Sequence, residues 1–353
     1  MAAVCDPRPE RRERAREVYG DALITSDEAA LLAADLDAVF VLSPDYLHEQ
    51  HAVAALEAGL AVYLEKPMAV TTAGCDRILA AARRTGSKLY VGHNMRHMPV
   101  IQAMRELILA GAIGEVKAIW CRHFVGHGGD FYFKDWHAER AKSTGLLLQK
   151  GAHDIDAIHW LAGGYTRRVT AMGALTVFGQ SAERAHGTEG YLPPEGWSHL
   201  ETWPPSAQTG LNPALDVEDL SMMTMALDNG VFATYQQCHY TPDYWRNYTV
   251  IGDEGRLENF GDGTGAQVKV WNTRRKSYPE AADRTVVIGE AQGGHGGADP
   301  MIVGEFLRFV RDGEATLTSP IAAREAVATG CAATESLRAD GVAVDVPAPS
   351  NPV

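Results

Sequence analysis

The sequence predicts an α/β protein: an incomplete, doubly wound parallel sheet over residues 1–115, then an α+β domain built on a mainly antiparallel sheet over 116–353. Three observations carry this. Short apolar runs alternate with helix-length segments up to about residue 93, the pattern of a parallel sheet with helical crossovers. Beyond about 115 the alternation stops and strand-like runs follow one another, two of them joined by Asp228-Asn229-Gly230, a strong hairpin signal. Between these regimes, Leu60-Ala61-Val62-Tyr63 reads as a buried strand ending in Leu64-Glu65-Lys66-Pro67, where an open α/β sheet presents groups to a ligand.

The elements follow in order. Ala2-Ala3-Val4-Cys5 is a first short strand; Pro9 suits a helix first turn and Gly20 its end. Ser26 can cap a helix over 27–35, ahead of the strand Ala38-Val39-Phe40-Val41-Leu42. A helix from Tyr46 to Ala58 stops at Gly59, and one over 72–85 ends at Gly86 before the strand Lys88-Leu89-Tyr90-Val91. In the second part, strands are expected at 116–125, 218–228, 231–239, 247–252, 256–260, 267–271 and 285–288, with helices at 154–162, 299–311 and 321–337. The Gly-, Pro- and Ser-rich stretch 180–215 reads as a long insertion loop.

Composition narrows the function classes. With 46% hydrophobic and 22% charged residues this is an ordinary globular chain, and its net charge of −13 argues against a nucleic-acid partner. No apolar run reaches the roughly 20 residues that cross a bilayer, and arginines at 11, 12, 14 and 16 interrupt any secretory signal. The cysteines Cys5, Cys75, Cys121, Cys238 and Cys331 lack metal or redox spacing, so they are expected reduced in a cytoplasmic protein.

In a Rossmann-type sheet a glycine loop follows the first strand, and an acidic residue about 20 positions later holds the adenosine ribose. Asp6 ends an apolar strand and fits that acidic position; its rival role is to cap the following helix. Only five residues precede it, so the first strand, the phosphate loop and its helix are expected to be missing from this chain. Gly261-Asp262-Gly263-Thr264-Gly265 does not replace the loop, because an alternating strand follows it where phosphate binding needs a helix N-terminus.

Oxidation of a secondary alcohol needs a base near neutrality and a positive group to steady the developing alkoxide. His153 in Lys150-Gly151-Ala152-His153-Asp154-Ile155-Asp156 is the candidate acid/base and Lys66 its electrostatic partner. Asp156, one turn on, is a candidate to orient the imidazole or hold a substrate hydroxyl. Ser43, Pro44 and His48 follow the strand ending at Leu42, where sheet topology puts a cofactor, and Glu65 either braces Lys66 or contacts the nicotinamide ribose. Lys150, Trp136, Tyr244, Trp245, Arg246, His295 and Asp299 are candidate substrate groups: arginine holds carboxylates bidentately and aromatic faces suit a sugar ring. His123, His127, Asp130 and His137 follow no standard ligand spacing, so no metal is expected. Taken singly, each has a plain alternative: a solvated strand-end charge for Lys66, helix-start residues for His48 and His153.

With Ser43-Pro44 and His48, Glu65-Lys66-Pro67, Asn94-Met95-Arg96, Gly145 to Asp156, Ile251-Gly252-Asp253-Glu254-Gly255 and Gly293-Gly294-His295-Gly296-Gly297-Ala298-Asp299 in this order, the sequence resembles the Gfo/Idh/MocA oxidoreductases over nearly its whole length. Where that family commonly carries an aspartate, four residues before the histidine, Gln149 stands here. The resemblance implies a Rossmann domain, a second domain with a large open sheet, and homodimers or homotetramers packed through that sheet. It also implies Asn94 and Arg96 beside the nicotinamide and substrate. The expected activity is NAD(P)-dependent hydride transfer to or from a sugar, polyol or related alcohol or ketone. Asp6 favours NAD by repelling a 2′-phosphate, and Arg8 leaves NADP open. The alternative from another class is a catalytically silent member that binds a sugar-like ligand or partner protein.

Overall fold

The computed structural model of the chain describes residues 1–180, 202–290 and 293–349. Two parallel sheets come first. β1 (Ala3–Cys5) and β2 (Leu23–Thr25) pair with Ala3 opposite Leu23, joined by α1 (Pro9–Tyr19). After α2 (Glu28–Leu32), β3 (Ala38–Val41), β4 (Ala61–Leu64) and β5 (Leu89–Val91) form a second sheet in that order, with α3 (His48–Glu57) and α4 (Thr72–Thr85) as crossovers. The sequence expectation has no β2, since Leu23-Ile24-Thr25 is too short to show a period. All four residues of β4 are buried, which is why its sequence is continuously apolar rather than alternating. Thr71 caps α4 by accepting from the Gly74 amide at 3.0 Å, and Gly86 ends it at φ 71°, a left-handed conformation glycine adopts without strain.

α5 (Pro99–Leu109), also unanticipated, leads into β6 (Val116–Val125). Three single-turn helices, α6 (Gly128–Phe131), α7 (Arg140–Ser143) and α8 (Leu146–Gln149), precede α9 (Gly151–Ala162). The remainder is β7 (Thr166–Ala174), β8 (Leu220–Leu227), β9 (Phe232–Cys238), β10 (Tyr244–Gly252), β11 (Arg256–Phe260), β12 (Gln267–Trp271), β13 (Arg284–Val287), α10 (Ala298–Asp312), α11 (Pro320–Arg338) and β14 (Val344–Asp345). The nine strands form one open sheet, ordered β13-β12-β11-β10-β6-β9-β8-β7-β14, in which only β6 and β9 run parallel. Asp228-Asn229-Gly230 turns the chain from β8 to β9, with Gly230 at φ 83°. Gly261–Gly265 lies in the turn between β11 and β12, as its sequence context predicts. The expected insertion loop at 180–215 falls in large part outside the described residues.

One face of the open sheet packs on α9: Ile119, Tyr235, Tyr248 and Val250 meet Ile155 and Ile158 in one buried cluster. The other face presents Trp120, Met172, Met222 and Phe232 to solvent.

The end of the chain returns to the beginning. Ala323 and Val327 of α11 join the core formed by Val41, Val62, Leu64, α3 and α4 on one face of the parallel sheet. Ile302 and Phe306 of α10 cover the other face, where Phe40, Tyr63 and Tyr90 stack at centroid distances of 4.9 and 5.5 Å. Both helices therefore fix the loops that leave β3, β4 and β5, and those loops build the site.

Candidate active site

The β3 exit carries Ser43, Pro44 and Asp45; the β4 exit carries Glu65 and Lys66; the β5 exit carries Gly92, His93 and Asn94. Parallel strands end together, so these three loops converge at one edge. His48, fully buried, ties two of them: its Nδ1 lies 2.7 Å from the Pro67 carbonyl and its Nε2 2.8 Å from the Ser43 carbonyl. The ring is thus a loop brace rather than a ligand group, and Ser43 Oγ is engaged by His51 at 2.9 Å. The Lys66–Pro67 peptide is cis.

Lys66 Nζ points at the start of α9, 3.5 Å from the Gln149 carbonyl. Two carboxyl groups face it. Burial pushes both Asp45 and Glu65 up to about 7, with Lys66 opposing the shift in each. Asp45 leaves its Oδ2 buried and unpartnered. Sequence reasoning passed over Asp45. Its adjacency to Ser43-Pro44 was the available signal, but a carboxylate at the start of a helical turn ordinarily reads as a dipole partner.

His153 is 5% exposed, and its Nδ1 is buried without a hydrogen-bond partner. Burial pulls its pKa well below the ordinary imidazole value, and Lys66, Lys150 and Arg246 pull further, so the ring is neutral at pH 7. The His295 ring lies 6.3 Å away. His295 Nδ1 in turn sits 3.0 Å from Asp299, which accepts from Asn94 Nδ2 at 3.1 Å. The tail motif is therefore joined to the β5 loop beside His153.

Asp156 stands apart from this proton site. Its carboxylate accepts from Arg96 twice, from Nε at 2.8 Å and from Nη2 at 2.7 Å, while Arg96 Nη1 donates to the Leu317 carbonyl at 3.0 Å. Burial raises the Asp156 pKa, but Arg96 overcomes it and holds the carboxyl below its usual range. Both carboxylate oxygens of Asp156 are thus taken by Arg96, and α9 carries Asp156 to that guanidinium rather than to the His153 imidazole.

Beneath the pocket lies a second network. Asp154 accepts from His123 Nδ1 at 3.0 Å and from the Tyr248 hydroxyl, and forms an ion pair with Arg246, whose Nε lies 3.1 Å away but makes no hydrogen bond. Burial works against the charge, but Arg246, His123 and Tyr248 hold this carboxyl far below the usual range. Arg246 also lies 3.5 Å from Asp262, which accepts from the Tyr244 hydroxyl at 2.8 Å. Tyr244 and Arg246 share the inner face of β10. Trp245, between them, falls on the outer face because strand side chains alternate, so it cannot line this pocket. Trp136 stacks on His137 at 3.7 Å and meets Tyr46 edge-on. Lys150 lies over the Tyr132 ring at 5.6 Å.

Asp6, at the end of β1, accepts from the Arg8 amide at 2.8 Å in a turn ahead of α1; Arg8 rather than Asp6 stands at the helix start, and no side chain caps it. Among the described residues no group of three His, Cys, Asp or Glu side chains converges as a metal site, and no helix is long and apolar enough to cross a membrane.

A dinucleotide can be tested against these side chains. Asn94 Oδ1 and the Asp45 carboxyl leave buried polar atoms unpartnered at the strand ends. A Cβ on Gly92 would lie 2.4 Å from the Tyr63 hydroxyl and 3.2 Å from Glu65 Oε2, so this loop needs glycine to hold its approach. The unpartnered Asn94 Oδ1 and Asp45 Oδ2 suit a polar ligand at this edge of the sheet. No hydrogen bonds join the sheet β1-β2 to the sheet β3-β4-β5 among the described residues, and no glycine-rich phosphate loop lies between them.

Comparison with known proteins places this geometry. A family model described as "Oxidoreductase family, NAD-binding Rossmann fold" matches residues 1–93, and one described as "GFO/IDH/MocA C-terminal domain" matches 101–258. The chain is similar to the putative oxidoreductase YteT of Bacillus subtilis (strain 168), 26% identical over 307 residues, 77% of this chain and 72% of the relative. It is 31% identical to the inositol 2-dehydrogenase of Streptomyces avermitilis over 198 residues, 55% of this chain and 53% of that one. The fold is that of levoglucosan dehydrogenase solved with NADH and levoglucosan, with a TM-score of 0.77 at 20% identity over 98% of this chain and 90% of that one. With both halves matched to one family, the chain belongs to the GFO/IDH/MocA oxidoreductases and carries their NAD-binding Rossmann fold in its amino-terminal part.

Proposed function

We propose that the protein is an NAD-dependent dehydrogenase or reductase of a secondary alcohol or ketone on a sugar or polyol. The observation that carries this is the meeting of Lys66 and His153: the lysine at the end of β4 is the charge that, after burial, most depresses the imidazole on α9. A neutral imidazole accepts the hydroxyl proton as the alcohol is oxidised, and the adjacent ammonium steadies the alkoxide that develops. Bound NAD supplies the hydride acceptor. In this reading Glu65 and Asn94 hold its nicotinamide end, and Asp6 favours NAD over NADP. Arg96 and Asp156 act as a strut that fixes the start of α5 against α9. Lys150, Tyr244, Arg246, His295 and Asp299 form the substrate side, with Trp136 at its margin. Inositol and levoglucosan dehydrogenases among the similar proteins support a polyhydroxylated substrate.

Further readings rest on the same site and fold. The division near residue 115 separates a cofactor unit from a substrate unit. The exposed Trp120, Met172, Met222 and Phe232 on the outer sheet face favour a homodimer formed through that face. Free cysteines at all five positions suit the cytoplasm.

Calorimetric titration of the chain with NAD and NADP in parallel is the test. Micromolar binding, stronger for NAD, supports the reading. No binding of either turns it toward a silent member that keeps only the sugar-like pocket.

A further inference from the structure

We infer that His295, held by Asp299, is the proton relay of this site: it takes the proton that His153 removes from the substrate hydroxyl and passes it to solvent. This rests on the dehydrogenase reading and gives two residues of the substrate side a task of their own.

The starting point is the burial of His153. Each oxidation leaves a proton on that ring, and the ring must lose it before the next turnover. Only 5% of His153 is exposed, and its Nδ1 is buried with no hydrogen-bond partner. Lys66 and Arg246 beside it are cationic, and Gln149, four residues before it, is an amide. None of the three is a base.

The tail motif brings the acceptor. The His295 ring lies 6.3 Å from the His153 ring, centroid to centroid, a separation that one water molecule spans. Its side chain is 52% exposed, so it reaches from His153 to solvent. Its Nδ1 is 3.0 Å from each oxygen of Asp299. A carboxylate only accepts, so Nδ1 carries the hydrogen and Nε2 keeps the lone pair that takes a proton. Asp299 is fixed in turn by Asn94 Nδ2 at 3.1 Å. Asp262, the other carboxylate close to this turn, accepts from the Tyr244 hydroxyl at 2.8 Å, which leaves Asp299 to serve His295.

The backbone is fixed here at a cost. His295 stands at φ 49°, in the left-handed region that residues with a side chain seldom occupy. A Cβ on the next residue, Gly296, would come 3.3 Å from the Asp262 carbonyl oxygen, so the turn is pressed against the one between β11 and β12. Strained backbone of this kind persists where its surroundings hold it, and it gathers at working sites.

The proton count balances. The hydroxyl proton goes to one nitrogen of His153. Through a bridging water, a proton from that ring goes to His295 Nε2, and the imidazolium paired with Asp299 releases one to solvent. Reduction of a ketone runs the chain backwards. Burial first, then Lys66, Lys150 and Arg246, disfavours the charged His153 ring, which drives the transfer outward.

The experiment follows the His153 ring proton by NMR on the full chain with isotope-labelled histidine rings, His153→Gln identifying the signal. His295→Asn is the test variant, because asparagine tolerates positive φ and has no base to relay a proton. His295→Gln repeats the test if the first variant loses its circular dichroism spectrum. We expect exchange of that proton with water to slow by about 10²-fold, the lower end of what a positioned acid–base group contributes, and free imidazole in the buffer to restore it in proportion to its concentration. A purely structural role would not respond to imidazole. With NAD and myo-inositol, kcat should fall in the variant and recover with imidazole in the same way, while KM is unchanged. Unslowed exchange in His295→Asn, slowing that imidazole does not restore, or slowing in Lys150→Met instead overturns the inference. The exchange measurement needs neither NAD nor substrate, so the two readings separate. Imidazole-restored slowing in a chain that binds no NAD upholds the path from His153 to His295 and removes only the dehydrogenase reading. NAD-linked turnover with unslowed exchange removes only the relay.

Discussion

Arg96 and Asp156 form a two-pronged ion pair, Nε to Oδ2 at 2.8 Å and Nη2 to Oδ1 at 2.7 Å, with side chains 7% and 1% exposed. The pair pins the loop after β5 to the middle of α9, the helix that carries His153. Its geometry is parallel and buried, the arrangement in which removing one partner strands the other charge.

Arg96→Ala should therefore cost about 3–5 kcal/mol of stability, the range for a broken buried pair. Asp156→Asn, which keeps one acceptor for the guanidinium, should cost less. Urea denaturation of both variants checks this. Equal, small losses would show that the pair contributes nothing net.

Lys66→Ala and His153→Ala should each lower turnover by about 10²–10⁴ while the fold is kept, the range for general acid–base and electrostatic groups. Asp156→Asn should act mainly through stability. Steady-state kinetics with any accepted substrate, read beside circular dichroism, separates the cases, and near-normal rates for either alanine variant would remove its residue from the mechanism.

The pH profile follows from the direction of the His153 shift. A lowered imidazole pKa keeps the ring neutral, and so able to accept a proton, down to pH values well below 6.5. The acid limb of kcat/KM assigned to His153 should therefore lie below 6.5. A limb at or above that value, lost in His153→Ala, would contradict the buried placement.

Asp45 makes a prediction of the opposite sign. Burial raises its folded pKa from 3.8 to about 7, so between those values the folded state binds more protons than the unfolded chain. Its contribution is fully present below pH 4 and is lost as pH rises toward 7. Asp45→Asn should remove that loss and stabilise the protein at pH 8 by at most about 4 kcal/mol, at 1.36 kcal/mol per pKa unit. At pH 4 it should change little. Thermal melts at the two pH values decide it; equal effects at both would mean that Asp45 does not titrate with folding.

Trp120→Glu and Phe232→Glu place charges on the open outer face of the nine-stranded sheet. Sedimentation velocity should show the proposed dimer for the unsubstituted chain and monomers for both variants, with unchanged secondary structure. A parent chain that sediments as a monomer would remove the proposed interface.

Much of the site was legible because its signals are local. The apolar runs of β3, β4 and β5 end in Ser43-Pro44, Glu65-Lys66-Pro67 and Asn94, and parallel strands bring such ends together whatever else the chain does. The hairpin at Asp228-Asn229-Gly230 was equally secure, since the turn itself demands those residues. β7 was not legible: Arg167, Arg168, Thr170 and Gly173 interrupt its short run of apolar residues, and it is a strand because β8 and β14 pair with it.

The sequence by itself thus determined the strand ends, the hairpin, and the lysine and imidazole whose chemistry suits an alcohol. Tertiary structure alone decided who neutralises whom. It gave Asp156 to Arg96 and Asp154 to Arg246, turned Trp245 to the outer face, buried the Asp45 carboxyl within the field of Lys66, and folded α10 and α11 back over the parallel sheet. Backbone periodicity is a property of neighbouring residues, whereas charge pairing joins groups 60 and more positions apart. Which carboxylate reaches which cation depends on how the layers pack, and no local pattern records that.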